Sequence, residues 1–324
     1  MRRFIVMITV GLALASYSLF ADDQSFQDGS LAGSSQAFVK EKHSEYEIKH
    51  TKAVDAVLKA VVPDNIWQTL SHLTSYPNRS ATKQSGLDAV NWLKLTFDAM
   101  TIEYGRNDTE SFFIKTGWYK QPSLVTVIGK DLQAPAIVIG AHMDTPDGTM
   151  PGADEGSGAA TIMEAARVLL ASDLTFKRPI YIIWYAAGTR NFAGSHYVSQ
   201  YFQEKSIPVK AVIQFDMTGY RAHPDDPTMW IYTDYTDKPL SHFMAQLITF
   251  YLRVPVGYSQ CGYECSDHVT WNEDEIATAF PSESDFAKRN PYFHSSSDTM
   301  DFLNLDHMTQ FAKLAVALAI ELAL

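Results

Sequence analysis

Short apolar runs rich in β-branched residues punctuate this chain: Leu124–Ile128, Ala136–Ile139, Ile180–Trp184, Val209–Phe215 and Trp230–Tyr232. Helical patterns separate several of them, at Ala159–Leu170, Ser195–Gln203 and Leu240–Leu252. Leu305–Leu322 closes the chain as a further helix. Continuously apolar strands that alternate with helices imply a largely parallel mixed sheet covered by helices on both faces. The fold class is therefore α/β. Upstream, Ala53–Val62 and Ile66–Leu73 read as helices. Ser85–Met100 places Leu87, Val90, Trp92, Leu93, Leu95 and Phe97 on one broad helical face. No internal repeat is evident.

The start of the chain has a different character. Met1-Arg2-Arg3 is basic, Phe4–Phe20 is an apolar run without charge, and Ala21 precedes Asp22-Asp23. This is the layout of a signal peptide over 1–21, which predicts a secreted or periplasmic protein. Residues 22–45 are rich in Ser, Asp, Gln and Gly and read as a flexible leader or pro-segment. The domain proper is 46–324. No later run is long enough to span a bilayer, so no membrane partner is expected after cleavage. The formal net charge of −11 argues against gripping nucleic acid, which requires cations to neutralise phosphates. The chain has only two cysteines, which excludes a scaffold built on disulfides. In an oxidising compartment Cys261 and Cys265 can still pair and fix the loop carrying Tyr263.

Open α/β sheets bind ligands at the carboxyl ends of their strands. One strand end delivers His142, with Asp144 two residues on; another delivers Asp216 and Met217. Between them, Pro151-Gly152-Ala153-Asp154-Glu155-Gly156-Ser157-Gly158 precedes an Ala-rich helix. Downstream, Asn290-Pro291-Tyr292-Phe293-His294 adds a second histidine. Taken singly, His142 suits a hydrogen-bonded strand end, Asp154 a helix cap and Asp216 a turn. Together, imidazoles and carboxylates suit zinc.

These pieces, in this order, resemble the secreted bacterial leucyl aminopeptidase family. Its members are exopeptidases with two adjacent zinc ions on an α/β sheet, the zinc-aminopeptidase (phosphorylase/hydrolase-like) architecture. The likeness runs from about Ile66 to the C-terminus. It includes Asn78-Arg79, Gly140-Ala141-His142-Met143-Asp144, Pro151–Gly158 and Gln214-Phe215-Asp216-Met217-Thr218. It continues through Cys261-Gly262-Tyr263-Glu264-Cys265-Ser266-Asp267-His268 and Pro281-Ser282-Glu283-Ser284 to His294. The resemblance implies His142, Asp154 and Asp216 as ligands of one zinc, with Asp154 bridging to a second held by His294. It implies Asp144 as the partner of His142, Tyr263 as a stabiliser of the tetrahedral intermediate, and a Cys261–Cys265 disulfide. The loop is one residue shorter than the family pattern. Glu155 therefore competes with Asp154, which keeps the spacing from Pro151.

One departure governs the functional expectation. After Ala186-Ala187 the family carries two glutamates, the general base and a ligand of the second zinc. Here Gly188 and Thr189 stand there, between intact flanks. The expectation is one zinc, with two as the alternative, and a weakened aminopeptidase acting on the apolar N-termini of peptides or unfolded chains. The alternative is an inactive relative that binds peptide or metal. Met217, Phe280, Phe286 and Phe293 are the expected walls of an apolar pocket, and the protein is expected to be a monomer.

Overall fold

The computed structural model describes residues 46–148 and 151–324. The expected signal peptide and leader lie outside the described residues. Eight strands form the sheet: β1 (Thr109–Ile114), β2 (Ser123–Ile128), β3 (Ala136–His142), β4 (Ile180–Tyr185), β5 (Val209–Gln214), β6 (Met229–Tyr232), β7 (Val256–Ser259) and β8 (Thr278–Ser282). Their order is β1-β2-β4-β3-β5-β8-β6-β7. The centre, β4-β3-β5-β8, is parallel, whereas β1, β2 and β6 join by antiparallel pairings.

The helices are α1 (Thr51–Val57), α2 (Pro63–Thr74), α3 (Gln84–Glu103), α4 (Ala153–Ala171), α5 (Ala193–Glu204), α6 (Lys238–Leu247), α7 (His268–Glu273) and α8 (Leu305–Ala323). Every residue of β2, β3 and β4 is buried. Their side chains divide alternately between two cores, as a strand's twofold period demands. Ile137, Ile139, Ile180, Ile182 and Trp184 enter the larger core, with apolar residues of α2, α4 and α8. Val138, Tyr181, Ile183 and Tyr185 enter the other, with Val198, Phe202 and Trp271.

Elements read with the least success lie at the sheet's margins or at helix ends. β1 is half exposed and mixes Thr, Glu and Ser with its aromatics. β8 contains Pro281, a residue that argues against a central strand. It is tolerated because β8 pairs with β5 only through Thr278 and Ala279. The helix read over Ala53–Val62 breaks after Val57 into a 3₁₀ turn, Leu58–Ala60, ahead of Pro63. That read over Leu240–Leu252 changes at Ile248 to one π-helical turn.

The largest difference concerns the loop before Ala159, which is already helix from Ala153. Gly152, at φ 57°, launches it from the left-handed region. Gly158 lies inside the helix because the chain crosses there. A Cβ at that position would stand 2.1 Å from the Asp216 carbonyl oxygen and 2.2 Å from that of Phe215. Both atoms are backbone and cannot swing away. Gly158→Ala is therefore expected to cost about 3 kcal/mol or more, the upper range of overpacking. Urea unfolding would measure it, and a change below about 1 kcal/mol would show that the helix can slide.

Candidate active site

Three parallel strands end at one place. His142 closes β3, Gly188 and Thr189 follow β4, and Asp216 follows β5. They line a cavity of about 550 Å³, together with Glu155, Tyr263 and His294. Met217, Phe280, Phe286 and Phe293 line it too, so the lining combines polar groups with aromatic ones. Cys261 and Cys265 form a disulfide that holds the Tyr263 loop at the rim.

Within the cavity the polar groups stand in two pairs. His142 Nε2 lies 3.0 Å from Asp216 Oδ1, and His294 Nε2 lies 2.6 Å from Glu155 Oε1. Ser266 Oγ donates to the other Asp216 oxygen at 2.6 Å, which steadies that carboxylate. Burial opposes a charge on His142, but Asp216 and Asp144 prevail and raise its pKa well above the usual imidazole value. Burial likewise works against the Asp216 anion, yet His142 brings its pKa below the ordinary carboxylate range. These shifts describe a buried ion pair.

Asp154 is not among the residues that line this cavity. Its backbone N–H donates to Asp298, and Asn290 Nδ2 donates to its Oδ2 at 3.0 Å. Burial raises its pKa to about 6, and its neighbour Glu283, also buried, is raised well above the normal value. Glu283 is held by the backbone N–H groups of Gly219 and Tyr220. The carboxylate facing His294 is that of Glu155. The cause is the early helix start: successive helical residues diverge by about 100°, so the two acids cannot face one way. The family's spacing from Pro151 favoured Asp154 over Glu155, and spacing does not report the phase at which α4 begins.

Asp144 is fully buried and mainly serves the β4–α5 turn. Its oxygens accept from Gly188 N at 2.7 Å, Thr189 N at 3.3 Å and Thr189 Oγ1 at 2.6 Å. Its Oδ1 is 3.5 Å from His142 Nδ1, which lies closer, at 3.2 Å, to the Asp144 carbonyl oxygen. The turn is strained, since Ala187, Asn191 and Phe192 all have positive φ. It also presses on the site: a Cβ on Gly188 would stand 2.5 Å from that of His142.

Two supporting residues carried little sequence signal of their role. Arg79 is fully buried and donates to the carbonyl oxygens of Met143, Leu73, Pro151 and Gly152, clamping the start of α4. Asp267 is buried behind Gly188, accepts from Ser195 Oγ at 2.7 Å, and has its pKa pushed up to about 7 by burial.

The donors suit zinc in kind: two imidazoles and two carboxylates line one cavity. Glu155 is 2% exposed, and its Oε2 has no hydrogen-bond partner among the described residues. They do not yet form a closed cage, because no three such groups among the described residues stand close enough to hold an ion. No helix among the described residues is long and apolar enough to cross a membrane.

The chain is similar to known aminopeptidases. Leucine aminopeptidase 1 of Coccidioides posadasii is 32% identical over 294 residues, covering 86% of this chain and 75% of that protein. The LapA aminopeptidase of Legionella pneumophila is 67% identical and superposes with a TM-score of 0.86, covering 88% of this chain and 78% of that one. LapB from the same organism is 50% identical, with a TM-score of 0.85 over 87% and 77% of the two chains. Residues 124–319, which hold the sheet's core and every cavity group named above, match peptidase family M28, and the chain belongs to that family.

Proposed function

We propose that this chain is a zinc aminopeptidase-like protein, secreted or periplasmic, that takes the apolar N-termini of peptides and hydrolyses them weakly. The observation that carries this reading is the β4–α5 turn. Where the resemblance calls for two carboxylates, Gly188 has no side chain and the Thr189 hydroxyl donates to Asp144. One zinc would be held by His142 and Asp216, whereas Glu155 and His294, paired with each other at 2.6 Å, would serve a second, weaker position. When bound, zinc would polarise a carbonyl and acidify water.

The chain's own residues do the rest. The aromatic wall of Phe280, Phe286 and Phe293 accepts an apolar side chain and excludes water. Tyr263, at the rim, can donate its hydroxyl to an oxyanion. Glu155 is the carboxylate available to take a proton, although His294 competes for it at 2.6 Å. A positioned general base contributes roughly 10² to 10⁴ in rate. The loss of one therefore leaves binding intact and slows turnover.

Metal content tests the reading. About one zinc per chain is expected after dialysis, with His142→Ala losing it and His294→Ala changing it little. Two tightly held ions would show that another group replaces the missing carboxylate. A native protein that neither retains zinc nor releases leucine from a leucyl-anilide would favour the inactive peptide-binding relative.

A further inference from the structure

Arg289 is set differently from the arginines that are fully committed within the fold. Arg106 pairs with Asp108, Arg167 with Glu164 and Arg190 with Asp147, while Arg79 is spent on four carbonyl groups. Arg289 lines the cavity, and no carboxylate among the described residues forms an ion pair with it. Its guanidinium lies over the Phe286 ring, 4.4 Å from the centroid, and 5.4 Å from that of Phe293. One N–H donates to the Phe286 carbonyl at 3.0 Å, and Nε is buried without a hydrogen-bond partner among the described residues.

Contact with two rings restricts the rotamers of the fork, so little order remains to be imposed when a ligand arrives. A planar guanidinium with spare N–H groups matches a carboxylate by two parallel hydrogen bonds. The same cavity carries the exposed acids Glu264 and Glu273, so it offers both signs of charge to one occupant.

We propose that Arg289 is a specificity residue that binds a carboxylate of the peptide ligand, and so favours short peptides whose free C-terminus reaches it. The proposal rests on the peptide-binding reading above. A carboxylate can also come from an acidic side chain, and the test separates the two sources. Reduced-amide analogues, which resist hydrolysis, would be titrated calorimetrically into the native protein and into Arg289→Gln. The first arm compares Leu-Leu with its C-terminal amide. The second compares Glu-Leu amide with Gln-Leu amide.

The native protein is expected to bind the acid at least about ten-fold tighter than its uncharged twin in the first arm, a modest return for a charge-assisted pair. Arg289→Gln should remove that preference, and Arg289→Lys, which keeps the charge, should retain part of it. A preference confined to the second arm would overturn the C-terminal assignment. Equal binding of acid and amide in both arms, or a preference that survives in Arg289→Gln, would overturn any carboxylate role for Arg289. If the native protein binds none of the four, the peptide-binding reading fails first.

Discussion

Arg79→Met is expected to leave no stably folded protein at ambient temperature. Methionine can fill much of the space but donates no hydrogen bond. Four buried carbonyl groups, those of Leu73, Met143, Pro151 and Gly152, lose their donor together. An unsatisfied buried acceptor costs about 1–3 kcal/mol, and whole domains are stable by only about 5–15 kcal/mol. The substitution also removes the cation that faces Glu155, Asp298 and Asp144. Arg79→Lys should fail too, because a point charge on a flexible stem cannot span the fork's separated acceptors. Solubility and urea unfolding would check this. A Met variant that folds cooperatively within about 2 kcal/mol of the native protein would mean that water replaces the lost donors.

The double variant Gly188→Glu with Thr189→Glu is expected to release leucine from a leucyl-anilide at least about 10² times faster than the native protein, the low end of general-base effects. The two changes are expected to act as a unit. A carboxylate at 188 can serve only if the turn withdraws, because its Cβ would otherwise stand 2.5 Å from that of His142. What holds the turn is Asp144, through Gly188 N and both donors of Thr189. Replacing Thr189 removes the hydroxyl donor and puts a like charge beside Asp144, which loosens that grip. Gly188→Glu alone should therefore lower stability and gain little activity, and Thr189→Glu alone should supply a donor without a base. Such coupled groups are not additive. A double variant with verified fold and zinc but no gain would show that the aromatic wall has also changed its task.

The sequence by itself determined the sheet's interior, because a strand buried on both faces must be apolar throughout and leaves a run such as Ile180–Trp184. It also placed His142 and Asp216 at strand ends, and the family resemblance joined them to His294; all three line one cavity. The margins were less readable. β1, β7 and β8 are short or half exposed and are stabilised by their neighbours rather than by their own pattern. Only the tertiary structure decided that Glu155, not Asp154, meets His294. That choice depends on the phase of α4, which is set by a left-handed Gly152 and by an arginine more than seventy residues upstream. Only the tertiary structure, likewise, turned Asp144 toward the β4–α5 turn and set the Arg289 guanidinium against two aromatic rings. Periodicity reports which residues are buried; the direction of a buried polar group depends on partners distant in sequence.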